Sequence, residues 1–264
     1  MPNQPNDARR PTKAERKEQA RLERDSIQRQ MAARKRNRAI GLSLVALAAI
    51  AAVVAVVVLR PDSSGGSLAA PADLLSQAAD AAQAAGCSEV QNPGFYAGAD
   101  QTSPDYVDQA HVGGDARFPE LPPLDSYPST PPTSGPHVGE TTLPAGVYDS
   151  TPDIGPLIHS LEHGGSVIWL SPDAPQGQVD EIKAFYDQDD PVGQDRVIVA
   201  TYDYGGAGGL LPDGTQMALV GWHRLQTCAM PDLAVAFDFT SQYAFPTTQD
   251  REYAGEAPEA GAPM

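Results

Sequence analysis

Five histidines occur in the 264 residues, and two of them, His159 and His163, stand four apart in GPLIHSLEHGG with Glu162 between them. On a helix, positions i and i+4 share a face, so both imidazoles can reach one metal ion. Two glycines follow at once, so the pair sits at the end of an element rather than in its middle. His137 closes STPPTSGPH, where three prolines and a Ser-Gly make a stiff loop suited to aiming a ligand rather than to filling a core. His111 lies on a second loop, DQAHVGGD. His223 follows Trp222 on what reads as a strand, where the two alternate between faces, and it is the least suited to ligation. Several imidazoles without thiolates suit copper or zinc, and Met217 at the start of the same strand tilts the choice toward copper. The candidate metal ligands are therefore His111, His137, His159, His163 and Met217.

HSLEH also satisfies the H-x-x-E-H pattern of inverted zinc peptidases, in which two histidines bind zinc and the glutamate activates water. Such sites sit within a long helix and take an acidic ligand from a later one. Here the helix stops at Gly164, and the later helix offers Glu181 and Asp187 without distinguishing context. No nucleophile elbow surrounds Ser134, and no carboxylates are paired at a defined spacing. A zinc metallopeptidase is one alternative to a binding protein. A metal-free interaction module is the other, because a histidine on its own more often serves as a hydrogen-bonding structural residue.

The elements that must carry these residues follow a segment of another kind. Residues 39–59 contain no charge, and at about 1.5 Å per helical residue they match the roughly 30 Å of a bilayer's hydrocarbon core. Residues 1–38 carry 12 Lys/Arg against 5 Asp/Glu, whereas the chain after Arg60 carries 5 against 29. The positive-inside rule then places 1–38 in the cytoplasm as a polybasic segment facing anionic lipid, 39–59 across the cell membrane, and the rest outside. A basic region and an apolar run of these lengths are too long for a cleaved signal peptide. The excess of 29 Asp/Glu over 5 Lys/Arg argues against nucleic acid as a partner of the exported part. Both cysteines, Cys87 and Cys228, fall in that part, without the Cys-x-x-Cys spacing of a redox site. They are expected to form a structural disulfide.

Residues 60–71 read as a linker, 72–250 as the exported domain and 251–264 as a disordered tail. Within the domain, PADLLSQAADAAQAAGC is a helix that delivers Cys87 at its end. Residues 88–150, rich in Pro, Gly and Asp, read as short strands and long ordered loops. A helix at 155–163, a buried strand at 166–170, an amphipathic helix at 176–188, strands at 196–202 and 216–225, and a closing helix from Asp232 follow. GGAGG at 205–209 precedes no helix, so it reads as a hairpin connection rather than a phosphate loop. The order is that of an α+β domain with a mixed sheet, β-α-β-β-α at its core, packed by helices. It also suits the back half of a thioredoxin-like sheet, without the redox cysteines.

Taken together, AAGCSEV, AHVGG, PPTSGPH, GVYD, LIHSLEHGGSVIWL, ALVGWHRLQTC and GEAPEAG resemble, in sequence and order, a bacterial family of membrane-anchored proteins known as domain of unknown function 3105. The resemblance spans roughly residues 85–260, and the family's motif histidines correspond to His111, His137, His159 and His163. It departs near the end, where the family's usual arginine before a glycine is replaced by YAGE at 253–256. The family implies one coherent domain but no reaction. The expectation is a membrane-anchored, extracytoplasmic protein that binds a transition metal and handles or delivers copper, with an exported metalloprotein as partner.

Overall fold

Strand β2 (Ser166–Leu170) is buried along its whole length, and its alternate side chains divide between two separate cores. In the computed structural model, which describes residues 69–99, 102–188, 196–246 and 252–264, this strand is the centre of a five-stranded mixed sheet. The order is β1 (Gly146–Val147), β3 (Val197–Thr201), β2, β4 (Met217–Gly221) and β5 (Arg224–Cys228). β2 runs parallel to β3 and antiparallel to β4, and β4 pairs antiparallel with β5. The expected transmembrane helix at 39–59 lies outside the described residues. Among those described, no helix is long and apolar enough to cross a membrane.

Period-two alternation explains the two cores. Ile168, Leu170, Val197, Val199, Met217 and Leu219 point to one face, where helices α1 (Pro71–Ala84), α3 (Gln176–Tyr186) and α4 (Leu233–Tyr243) bury Leu74, Ile182, Phe185, Phe237 and Phe239 against them. Val167, Trp169, Ile198, Ala200, Ala218 and Val220 point to the other face, beneath α2 (Ile154–Glu162) and a layer of irregular chain. The candidate site lies on this second side. Met217 is fully buried on the first, so its place in the candidate ligand set, and the tilt toward copper that it carried, are corrected.

Cys87 and Cys228 form a disulfide that ties the end of α1 to the end of β5. Residues 87 and 91 bridge to 228 and 225, which covers the outer edge of β5. The stretch expected to be one strand at 216–225 is instead a hairpin, with Trp222 and His223 as its two-residue turn. His223 takes a φ of 52° there, and the core order becomes β-α-β-β-β-α. The loop containing GGAGG is not a hairpin connection, because β2 lies between β3 and β4. Among the described residues of 88–150, β1 is the single strand, with loop, two short 3-10 turns and isolated bridges around it. The expected disordered tail packs back on the domain at residues 252–264, with Ala257, Ala260 and Met264 against the second core.

Candidate metal centre

Helix α2 is short and buried at every position except Pro156, polar residues included. Asp153 caps its start by accepting the Gly155 N–H at 3.1 Å. Its end is a Schellman turn: the Gly164 N–H reaches the Leu161 carbonyl and the Gly165 N–H reaches that of Ser160. Gly164 has a φ of 88°, and a Cβ there would lie 2.6 Å from Cβ of Phe245, so the residue after His163 must be glycine. The helix thus presents His159 and Glu162 from its last turn and His163 from its cap.

The loops bring the other two histidines. The chains at residues 111 and 137 pair as a short parallel bridge, with His137 N–H on the Ala110 carbonyl (3.0 Å) and Val112 N–H on the His137 carbonyl (2.8 Å). Asp108, fully buried, holds this arrangement. Its carboxylate accepts the Tyr96 N–H (2.6 Å), the Ser134 hydroxyl (3.0 Å) and Nε2 of His223 (2.7 Å), and its carbonyl accepts the Gly135 N–H. His223 is thereby a structural partner of Asp108. Gly139 lies against the His111 ring so closely that a side chain there would collide with it.

The rings of His111, His137 and His159 form a near-equilateral triangle, with centroids 5.1, 5.1 and 5.4 Å apart. One ligand atom from each, together with a carboxylate oxygen of Glu162, lies within 4.8 Å of the others. His163 stands apart from this set and joins His159 and Glu259 in a second group that meets the same criterion. His137 is fully buried, while His159 (6%) and Glu162 (1%) are nearly so; the His111 side chain is 47% exposed.

The tautomers follow from backbone partners. Nδ1 of His137 faces the Gly135 carbonyl (2.9 Å), Nδ1 of His159 that of Thr141 (3.1 Å), and Nδ1 of His163 that of Pro263 (2.6 Å). A carbonyl only accepts, so each neutral ring carries its proton on Nδ1 and leaves the Nε2 lone pair free. This is the outer hydrogen bond that metal-ligating histidines make. His137 Nε2 lies 2.9 Å from Glu162 Oε2, yet neither that nitrogen nor either Glu162 oxygen makes a hydrogen bond of proper geometry among the described residues. Ligand atoms this close can converge on one cation, so the group can hold a metal ion.

Burial lowers the His159 pKa, with help from the adjacent His137 and His163 rings, and outweighs the Thr141 carbonyl and Glu162; the ring is neutral near pH 7. Burial pushes the Glu162 carboxyl up, but His137, with smaller contributions from Gln109 and His111, outweighs it and holds the group below its ordinary value, a pull that needs a proton, or a cation in its place, between His137 Nε2 and Glu162. Glu162 is the member of this group that sequence reasoning missed, because the zinc-peptidase pattern cast it as a base; its i+3 spacing from His159 was the available signal. Glu259 was missed with the rest of the tail.

No curated protein matches the chain, and no solved structure matches it. The match to a family profile, described as protein of unknown function (DUF3105), covers residues 125–259, a shorter span than the landmarks suggest. It takes in His137, His159, Glu162, His163 and Glu259 and leaves His111 outside. With half of its length matched, the chain belongs to the DUF3105 family.

Proposed function

We propose that this protein is a membrane-anchored, extracytoplasmic carrier of a transition metal, zinc or copper, held by His111, His137, His159 and Glu162. The observation that carries the reading is the buried triangle of imidazoles around Glu162, with the Nδ1–H of His137 and His159 fixed on backbone carbonyls. Three imidazoles and a carboxylate suit zinc and copper alike once Met217 is set aside. The anchor rests on the uncharged run at 39–59 and the charge asymmetry around it, and the disulfide accords with an oxidising compartment. A peptidase of the H-x-x-E-H type needs His159 and His163 on one ion with Glu162 free beside it. Here Glu162 sits against His137, which favours carriage over hydrolysis. Exposed His111 supplies the replaceable ligand through which the ion would pass to an exported metalloprotein.

The test is metal analysis of the purified full-length protein, followed by chelator competition with Zn²⁺ and Cu²⁺. One ion per chain is expected, with a loss of affinity of roughly a hundredfold or more in His137→Ala and Glu162→Gln, beyond the effect of supporting residues. Wild-type protein that binds neither ion, or a Glu162→Gln variant that keeps full affinity and loses a peptidase activity, would overturn the proposal.

A further inference from the structure

Glu259, half exposed, lies 3.2 Å from Nε2 of His163. Its own backbone is fixed: the Glu259 N–H donates to the Glu162 carbonyl and the Gly261 N–H to the His163 carbonyl. Arg196 Nη1 binds the carbonyls of both His163 and Ala262, which pins the same turn from the side. His163 is 8% exposed, its Nδ1 is committed to Pro263, and its Nε2 makes no hydrogen bond of proper geometry among the described residues. The rings of His159 and His163 are 4.4 Å apart, and ligand atoms of His159, His163 and Glu259 lie within 4.8 Å of one another.

We infer that His159, His163 and Glu259 form a second, outer coordination position for the same divalent transition ion, and that the ion enters the buried centre through it. The inference rests on the carrier reading above. His159 belongs to both groups, but with Nδ1 held by Thr141 it has one free lone pair, so it serves one ion at a time. The two positions are therefore alternatives, and His159 is the pivot between them. An ion first meets Glu259 at the surface, bonds His163 and His159, and then exchanges His163 and Glu259 for His137, Glu162 and His111. Reaching the buried Nε2 of His137 requires the ion to give up water, which is costly. An outer position with a carboxylate on the rim divides that desolvation in two.

Full-length protein in detergent, loaded with Zn²⁺ or with Co²⁺ as the absorbing probe, separates the alternatives. Wild type is expected to hold one ion per chain at saturation. Glu259→Gln should keep its equilibrium affinity within about threefold and load roughly tenfold or more slowly in stopped flow, a change on the scale seen when groups around a metal site are altered. His137→Ala should retain a weaker single ion, and the double variant His137→Ala/Glu259→Gln should lose it. Two ions per wild-type chain, an unchanged loading rate in Glu259→Gln, or a double variant that binds as well as His137→Ala would each overturn the two-position scheme while leaving the carrier reading intact. Wild type that binds no ion refutes the carrier reading and the scheme with it.

Discussion

Asp108→Ala tests whether the histidine loops are held by one buried carboxylate. The substitution removes the acceptor of three donors at once: the Tyr96 N–H, the Ser134 hydroxyl and Nε2 of His223, which is 2% exposed. Breaking a buried pair costs about 3–5 kcal/mol, and stranding the Ser134 hydroxyl adds about 1–3 kcal/mol. These share one site and do not sum, so a loss of about 4 kcal/mol is expected. With a urea dependence of about 2 kcal/mol per molar, the midpoint of the metal-free protein should fall by roughly 2 M. Asp108→Asn keeps the shape and can still accept the Tyr96 N–H, so its loss should be closer to 2 kcal/mol, the worth of a hydrogen bond to a charged group. Because the Asp108 Oδ2 that accepts the Ser134 hydroxyl, three residues before His137, becomes an amide nitrogen, the Asn variant should lose roughly 10–100-fold in zinc affinity without losing any ligand. A midpoint within about 0.3 M of wild type in Asp108→Ala, or full zinc affinity in Asp108→Asn, would refute the positioning role.

Replacing both cysteines by serine opens a loop of 141 residues, and the chain-entropy relation puts the loss of stability at up to about 5 kcal/mol; a denaturation midpoint that hardly moves would contradict it. Burial raises the pKa of Tyr127, Tyr202 and Tyr204, whereas the unfolded chain ionises its tyrosines near pH 10. Above that pH the folded state keeps protons that the unfolded state has lost, so stability falls as pH rises. Tyrosinate absorbance should show these three ionising only together with unfolding, and a single smooth titration of all nine tyrosines near pH 10 would contradict this.

The fold class was legible because β2 and β3 are continuous apolar runs and the helix between them is amphipathic, a pattern few other arrangements satisfy. The β4–β5 hairpin was not, because its turn is Trp-His rather than a glycine or asparagine pair, and the left-handed residue is His223. Met217 shows the limit of alternation: it tells which residues share a face but not which face meets the histidines. The tail composed of Gly, Ala, Pro and Glu has little to bury, and it is ordered by backbone bonds to the end of α2 and to Arg196, which composition does not encode. The histidines could be nominated from their loops and spacing. That His163 belongs with Glu259 and not with His137 depends on where Gly164 turns the chain.

The bridge between residues 111 and 137, and the contact of residue 259 with the end of α2, also set the order of events as the chain matures. Ligands gathered from such distant points carry a loop-closure cost in the open chain that the folded sheet has already met. On the carrier reading the sheet forms first and the ion arrives afterwards, unlike the metal-driven folding of a zinc finger. Which ion such a centre would acquire is then settled by the supply in the compartment where folding finishes, since imidazole and carboxylate alone would take copper over zinc whenever both were free.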